Sequence, residues 1–452
     1  MPANRAGTPP ARQERVVIAL LGLHALLFLA ISLKAVLTPH MVGPVEARVL
    51  NLARWWQAGA LPYSDGGRLP ALWNPYGPLY EGLCALLPSW PGHPYLWPRL
   101  LSLASAVGIL GVVAMSVRRQ TGSWRPGVVA ALLLLTARPM LSYAPRCQVD
   151  ALAAFLSVLG WALATQARSR AAAAAGVLSM GLAFHTKLTA VAALVACGVA
   201  LWRADRRRAL WVGTGWLAVA GGGFLWLQHA TEGDYLAGAL MGNAPASRGK
   251  AADMLTRPLT TSLAWIAAAI VMWRAAPAEA RRVLRPHAWY LGFGLAVASL
   301  AAANPGSSWN FLLEPYIALA MLTGVLLGGA ANGGAPRGWR SPGALITAHL
   351  LLALPCSARV AYKDWRAVTR HRPAFLAARV RLAPLAQAGG RVALYDSLAG
   401  TDALLSLGGR NPVDLPEELR PRSEALLRRA LREGEIGAVL RGEGLVAWGS
   451  AE

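Results

Sequence analysis

Apolar runs alternate with short basic clusters through most of the chain, falling near 16–37, 97–117, 126–142, 150–166, 171–185, 188–202, 209–228, 259–275, 287–303, 310–329 and 342–358. Read as helices against a bilayer core of about 30 Å, they predict an all-α polytopic membrane protein of about eleven crossings. The first run is too long for the apolar stretch of a signal peptide. No small-residue cleavage site follows it before Thr38-Pro39-His40, so it reads as a membrane anchor.

Charge orients the map. With the N-terminus in the cytoplasm, the inner segments hold Arg5, Arg12, Arg15, Arg118, Arg119, Arg125, Arg168, Arg170 and Arg203. They continue with Arg206, Arg207, Arg208, Arg274, Arg281, Arg282, Arg285, Arg337 and Arg340, against only Glu14, Asp205 and Glu279. That bias follows the positive-inside rule, and an odd number of crossings then places the C-terminus outside.

Two stretches are long enough for structure beyond the membrane. In the loop 38–96, Val45, Val49, Leu52, Ala53 and Trp56 recur at helical spacing opposite Glu46, Asn51, Arg54 and Gln57, which predicts an amphipathic helix lying in the interface. The chain therefore divides into a transmembrane domain, 1–358, that includes this loop, and an extracytoplasmic domain, 359–452. In the latter an amphipathic segment 361–385 precedes strand-like 391–395 and 436–440, which flank a basic helical stretch 422–431. A small α/β domain is expected. No internal repeat is visible, which weakens a transporter built on inverted halves.

Composition agrees with a membrane chain: 452 residues, 55% hydrophobic and 15% charged, with a mean hydropathy of +0.40. The net charge of +22 does not point to nucleic acid, because the basic residues sit at helix ends rather than in one stripe interleaved with aromatics. Cys84, Cys147, Cys197 and Cys356 lack metal or CxxC spacing. They read as packed thiols, with a Cys84–Cys147 disulfide the alternative, and no metal site is expected.

Polar residues that cost energy near a membrane are the candidates for chemistry. Glu46 opens the amphipathic helix, where the helix dipole and unpaired N–H groups favour the anion that a general base needs; an ordinary first-turn acid is the plainer reading. Tyr63, Asp65, Tyr76 and Tyr80 lie in turn-rich segments whose aromatics suit a sugar face or an isoprenoid chain, or simply anchor the loop. Arg138 and Arg146 flank the outer mouth between the third and fourth runs, placed to grip a phosphate or to snorkel. Asp150 starts the fourth run as a helix cap or a site acid. His185 and Lys187 hinge two runs short for a bilayer, and a charge there sits near the outer surface or faces a polar cavity. Asn310 and Glu314, four apart, share a helix face at the start of the tenth run.

Together these pieces resemble the GT-C superfamily of membrane glycosyltransferases, including the bacterial protein mannosyltransferase-like and aminoarabinose transferase-like enzymes. The likeness rests on the run from Glu46 to Asp65 with Tyr76-Gly-Pro-Leu-Tyr80, and on Arg146-Cys-Gln-Val-Asp-Ala-Leu-Ala-Ala-Phe-Leu156. It extends to Leu182-Ala-Phe-His-Thr-Lys-Leu-Thr-Ala190, Asn310-Phe-Leu-Leu-Glu-Pro-Tyr316 and Leu407-Gly-Gly-Arg-Asn-Pro-Val-Asp414. Order and spacing carry it rather than any one motif. Relatives often have Asp before Glu where this chain has Val45, so either Glu46 takes over the acid's role or activity is lost.

The resemblance implies an enzyme of the bacterial plasma membrane. It would transfer a sugar, with inversion, from a polyprenyl-phosphate donor to a glycan, lipid or protein acceptor on the outer face. Glu46 would act as base, Asp150 would position donor, acceptor or a divalent cation, and Arg138, Arg146 or Lys187 would steady the departing phosphate. The rival readings are a transporter or flippase of lipid-linked glycan and a catalytically inactive GT-C relative.

Overall fold

The computed structural model describes residues 12–63, 74–87, 93–166, 169–240, 248–303, 308–329 and 340–387, together with four short strands. From the N-terminus, α1 (Arg12–Leu37) leads into α2 (Pro44–Gln57), α3 (Leu79–Leu86), α4 (Leu96–Thr121), α5 (Trp124–Leu134) and α6 (Arg138–Tyr143). Then come α7 (Asp150–Gln166), α8 (Arg170–Thr186), α9 (Ala192–Ala204), α10 (Arg206–Trp216), α11 (Gly222–Ala230) and α12 (Asp234–Leu240). The series ends with α13 (Arg248–Thr261), α14 (Leu263–Ala275), α15 (Ala278–Ala302), α16 (Leu313–Gly329) and α17 (Arg340–Gln387). Five segments among the described residues are long and apolar enough to cross a membrane: Gln13–Leu37, Leu96–Thr121, Arg206–Ala230, Trp309–Gly329 and Pro342–Lys363.

Several expected runs are broken or shifted, and local chemistry explains the breaks. The run 126–142 is two helices, because Pro139 lacks an N–H and its ring would strike the carbonyl four residues back. The chain turns at 135–137 instead, where the Thr136 hydroxyl donates to the Leu133 carbonyl at 2.7 Å. The run 259–275 is interrupted between α13 and α14, and the helix expected from 188 starts only at Ala192. By contrast, α17 is one unbroken helix of 48 residues. It joins the expected last crossing to the segment 361–385 and runs through the boundary placed at 358/359.

The core is built around α16, which is buried on almost every side, the signature of an apolar helix with no polar stripe. It packs on α4, α5, α14 and α15. Beside it α7 and α8 cross closely: a Cβ on Gly160 would lie 2.8 Å from the Gly176 carbonyl oxygen. Only glycine lets these backbones approach so nearly.

The helix read from 46–57 is present as α2. One part of its polar face is buried against the protein, with Glu46 at 0% and Asn51 at 2% exposure, while Gln57 is exposed. A buried cation described below neutralises the acid. Near the C-terminus, β1 (Val392–Tyr395) pairs in parallel with β2 (Val413–Leu415) and β3 (Ala438–Arg441). Strand β4 (Gly444–Val446) runs antiparallel to β3, giving the order β2-β1-β3-β4. The helical stretch 422–431 lies outside the described residues.

Candidate active site

Asp150, Lys187, Asn310 and Glu314, far apart in sequence, line one small cavity together with Thr189 and Phe311. Asp150 opens α7, Lys187 follows the C-terminus of α8, and Asn310 sits in the 3-10 turn Trp309–Leu312 that leads into α16. Breaks in helices, rather than helices themselves, therefore supply the polar groups. The Lys187 ammonium donates to Asp150 Oδ1 at 2.7 Å and the Asn310 amide donates to the same oxygen at 2.8 Å. Lys187 also lies 3.8 Å from the centre of the Phe311 ring. Both donors occupy one oxygen of the carboxylate, so Oδ2 is left for an incoming group. Glu314 lines the same wall, and its Oε2 closes no hydrogen bond among the described residues.

Glu46 is not part of that lining. Arg99 holds it from both sides, Nε to Oε1 and Nη2 to Oε2, each at 2.8 Å. The backbone N–H groups of Val42, Gly43 and Cys147 donate to it as well. Burial alone would raise its pKa, but the Arg99 guanidinium and these donors overcome that and hold it at about 2. Such a carboxylate has no free lone pair and no proton affinity near neutrality, which is the reverse of what a general base requires. Its bond to Cys147 N–H instead fixes the segment that delivers Asp150. Arg99 escaped the sequence reading, although an arginine one turn into a membrane helix demands a buried partner.

Other expected residues are spread more widely. The Tyr76 phenol feels the charge of Asp150, and burial first, then that charge, pushes its pKa upward. Tyr63 donates to the Tyr76 carbonyl at 3.0 Å and packs edge-on against Tyr235. Tyr80 is wholly enclosed, donating to the Pro98 carbonyl and touching the Ser102 hydroxyl at 2.7 Å, so it braces α3 on α4. The His185 ring packs on Gly223, with Nε2 3.3 Å from the Val219 carbonyl. Arg146 lies over Gly43. Asp65 lies outside the described residues. Cys84 and Cys147 are free thiols in the same small core cluster.

Arg138 belongs to a neighbouring, larger cavity of about 310 Å³, where its guanidinium stacks 3.1 Å from the centre of the Trp309 ring. Arg359 and Lys363 of α17 line the same space. Trp309 faces this cationic cavity and the next residue, Asn310, faces the other, so the two adjoin through a single turn. Among the described residues no three His, Cys, Asp or Glu side chains gather to hold a metal.

Glu81 was not singled out from the sequence. It is 0% exposed in α3, and neither of its oxygens nor the nearby Asn74 amide nitrogen closes a hydrogen bond among the described residues. Burial pushes its pKa to about 8, so it is held largely neutral at pH 7. An acid within the first turn of a short apolar helix was the available signal.

No family model and no curated protein matches the chain. Solved structures share its fold, among them two of one protein. ArnT from Cupriavidus metallidurans bound to undecaprenyl phosphate gives a TM-score of 0.61 at 18% identity, over 91% of this chain and 89% of that one. The same protein in the apo state gives 0.60 at 19% identity, with the same coverage. At such identity the likeness is one of fold: the chain is built as ArnT is built, which is the fold that the sequence resemblance implied.

Proposed function

We propose that the chain is a glycosyltransferase that moves a sugar from a polyprenyl-phosphate donor to an acceptor hydroxyl in the Asp150 cavity. The observation that carries this reading is the convergence of Asp150, Lys187, Asn310 and Glu314 on one wall, next to a cavity lined by Arg138, Arg359 and Lys363. The fold shared with ArnT, which has been solved with undecaprenyl phosphate bound, supports it.

In the proposed reaction Asp150 Oδ2 accepts the proton of the acceptor hydroxyl while Lys187 and Asn310 hold Oδ1 and fix the carboxylate's orientation. The acceptor oxygen bonds to the anomeric carbon from the face opposite the departing phosphate, so configuration inverts. The anomeric carbon–oxygen bond breaks and its electron pair leaves with the lipid phosphate. Arg138, Arg359 and Lys363 hold the donor's phosphate in the adjoining cavity before and after the sugar departs. Glu46 is a positioning residue in this scheme, and the base role passes to Asp150. Glu314 offers its free oxygen to a hydroxyl of donor or acceptor.

The proposal includes eleven crossings of the bacterial plasma membrane, made by the five long helices and by shorter ones packed among them. The arginine distribution supports a cytoplasmic N-terminus and an extracytoplasmic C-terminus, with 359–452 forming an outer α/β domain that begins within α17. Glycan, lipid and protein are all acceptor classes consistent with a hydroxyl nucleophile. The test is transfer from a labelled polyprenyl-phosphate sugar by purified protein. Wild-type turnover with loss in Asp150→Asn is expected. Absence of any transfer across the three acceptor classes, with the protein folded and donor bound, would make it an inactive relative.

A further inference from the structure

At the far end of α7 from Asp150 the chain builds another cavity, of about 550 Å³, between the starts of α8 and α10. The 17 residues of α7, at about 1.5 Å each, set the two sites roughly 25 Å apart, close to the thickness of a bilayer core. The cavity therefore faces the leaflet opposite the reaction site, whichever way the chain is inserted.

Its lining is strongly cationic: Arg170, Arg207 and Arg208 face one carboxylate, Asp205. That carboxylate is already engaged, accepting the Arg208 N–H at 3.1 Å as the cap of α10. Ser169 caps α8 in the same way, accepting the Ala172 N–H at 3.1 Å. The helix starts are thus satisfied by their own side chains, and the guanidinium groups carry the site. Arg208 is tied into the wall by its bond to the Ala164 carbonyl at 2.8 Å. Arg170 and Arg207 are exposed, and neither pairs with a carboxylate among the described residues.

The rim is apolar rather than polar. Trp211 lines the cavity at 46% exposure, and Leu210 and Leu217 continue along α10 and just beyond it at 57% and 62%. A small soluble anion gains nothing from such a rim. A phospholipid gains on both counts, its phosphate among the arginines and its acyl chains against the exposed apolar face.

We propose that this cavity binds the phosphate headgroup of an anionic phospholipid in the leaflet opposite the reaction cavity. The inference does not depend on the transferase reading, since the site shares no residue with either of the other cavities.

The test uses the full-length protein in mild detergent, titrated with phosphatidylglycerol or phosphatidylcholine and read by native mass spectrometry. Wild type should bind phosphatidylglycerol roughly tenfold more tightly than Arg170→Gln/Arg207→Gln, while Arg170→Lys/Arg207→Lys keeps most of the affinity. Arg281→Gln/Arg282→Gln removes equal charge from exposed arginines near the start of α15 and should leave binding unchanged. Equal loss in that control would reduce the effect to general surface charge and overturn the proposal. Equal binding of phosphatidylcholine would overturn it too, as would competition by soluble glycerophosphoglycerol at the concentration of the lipid.

Discussion

Arg99 and Glu46 form a two-armed ion pair, each arm 2.8 Å long, with neither side chain exposing any surface. Arg99 also donates to the carbonyls of Ala35, Thr38 and His40, so a single guanidinium ties the end of α1 and the start of α2 to α4. Breaking such a pair strands a charge in a dry interior, at a cost of about 3–5 kcal/mol. Glu46→Gln and Arg99→Met should each lower the thermal midpoint sharply. The protein that does fold should keep near wild-type turnover per molecule. A general base at Glu46, which the resemblance implies, would give the reverse for Glu46→Gln: an intact fold with transfer abolished. Measuring turnover against the folded fraction separates the two.

The same pair sets an acid limit on stability. The folded pKa of Glu46, about 2, lies below its ordinary value of 4.5, so the unfolded chain takes up a proton first as pH falls. The pair's contribution is complete above about pH 5 and disappears as pH falls toward 2. Thermal midpoints of the wild type should fall through that window. The window should be missing from Glu46→Gln.

Glu81 acts in the opposite sense. Its folded pKa of about 8 lies above the ordinary 4.5, so between those values the folded protein holds a proton that the unfolded chain has released. Stability should therefore decline as pH rises from 5 to 8. Glu81→Gln, which keeps the shape and removes the ionisation, should flatten that slope and raise the midpoint at pH 8. A wild-type midpoint that does not change between pH 5 and 8 would contradict the neutral assignment of this carboxyl.

Much of the cavity was legible because its residues are expensive where they sit. Lys187 between two short apolar runs and Glu314 inside another had to face something polar, and Asp150 and Asn310 occupied helix starts. What could not be read was which break in which helix would bring them together, since the turns at 187–191 and 309–312 depend on packing around α16. Glu46 shows the opposite limit. Its position beside a helix start was read correctly, but its role was decided by Arg99, a residue 53 positions away. Single-chain patterns carry periodicity, and they do not carry partners at that separation.

Asp150 is the residue on which transfer should depend most. Asp150→Asn keeps the bonds to Lys187 and Asn310 available but removes the proton acceptor, a change worth about 10²–10⁴ in rate when a general base is lost. The variant should still bind donor with nearly unchanged affinity. A loss confined to donor KM, with kcat preserved, would move Asp150 from proton transfer to binding.

Gly77 makes a packing prediction. A Cβ at this position would overlap the backbone carbonyl of His185 at the end of α8, and no side-chain motion can relieve it. Gly77→Ala should push the 74–78 segment off α8 and shift Tyr76, at a cost of about 1–3 kcal/mol. Activity should fall with stability. Gly82→Ala, where nothing lies within 4 Å of the added carbon, should be silent in both assays.

The cationic cavity should control donor affinity rather than chemistry. Arg359 and Lys363 project from one face of α17, four residues apart, into the space that Arg138 closes from the other side. Phosphate charge is present in the donor before and after the sugar departs, so these cations stabilise ground state and transition state almost alike, and uniform binding of that kind appears in KM. Arg359→Gln/Lys363→Gln should raise donor KM by roughly tenfold or more while kcat stays within about twofold. Wild-type KM should climb with ionic strength, and the double variant's should climb less, because the charges that salt screens have been removed. A fall in kcat at unchanged KM would instead place these two side chains on charge that appears only in the transition state, and the departing phosphate oxygen would be the atom they serve.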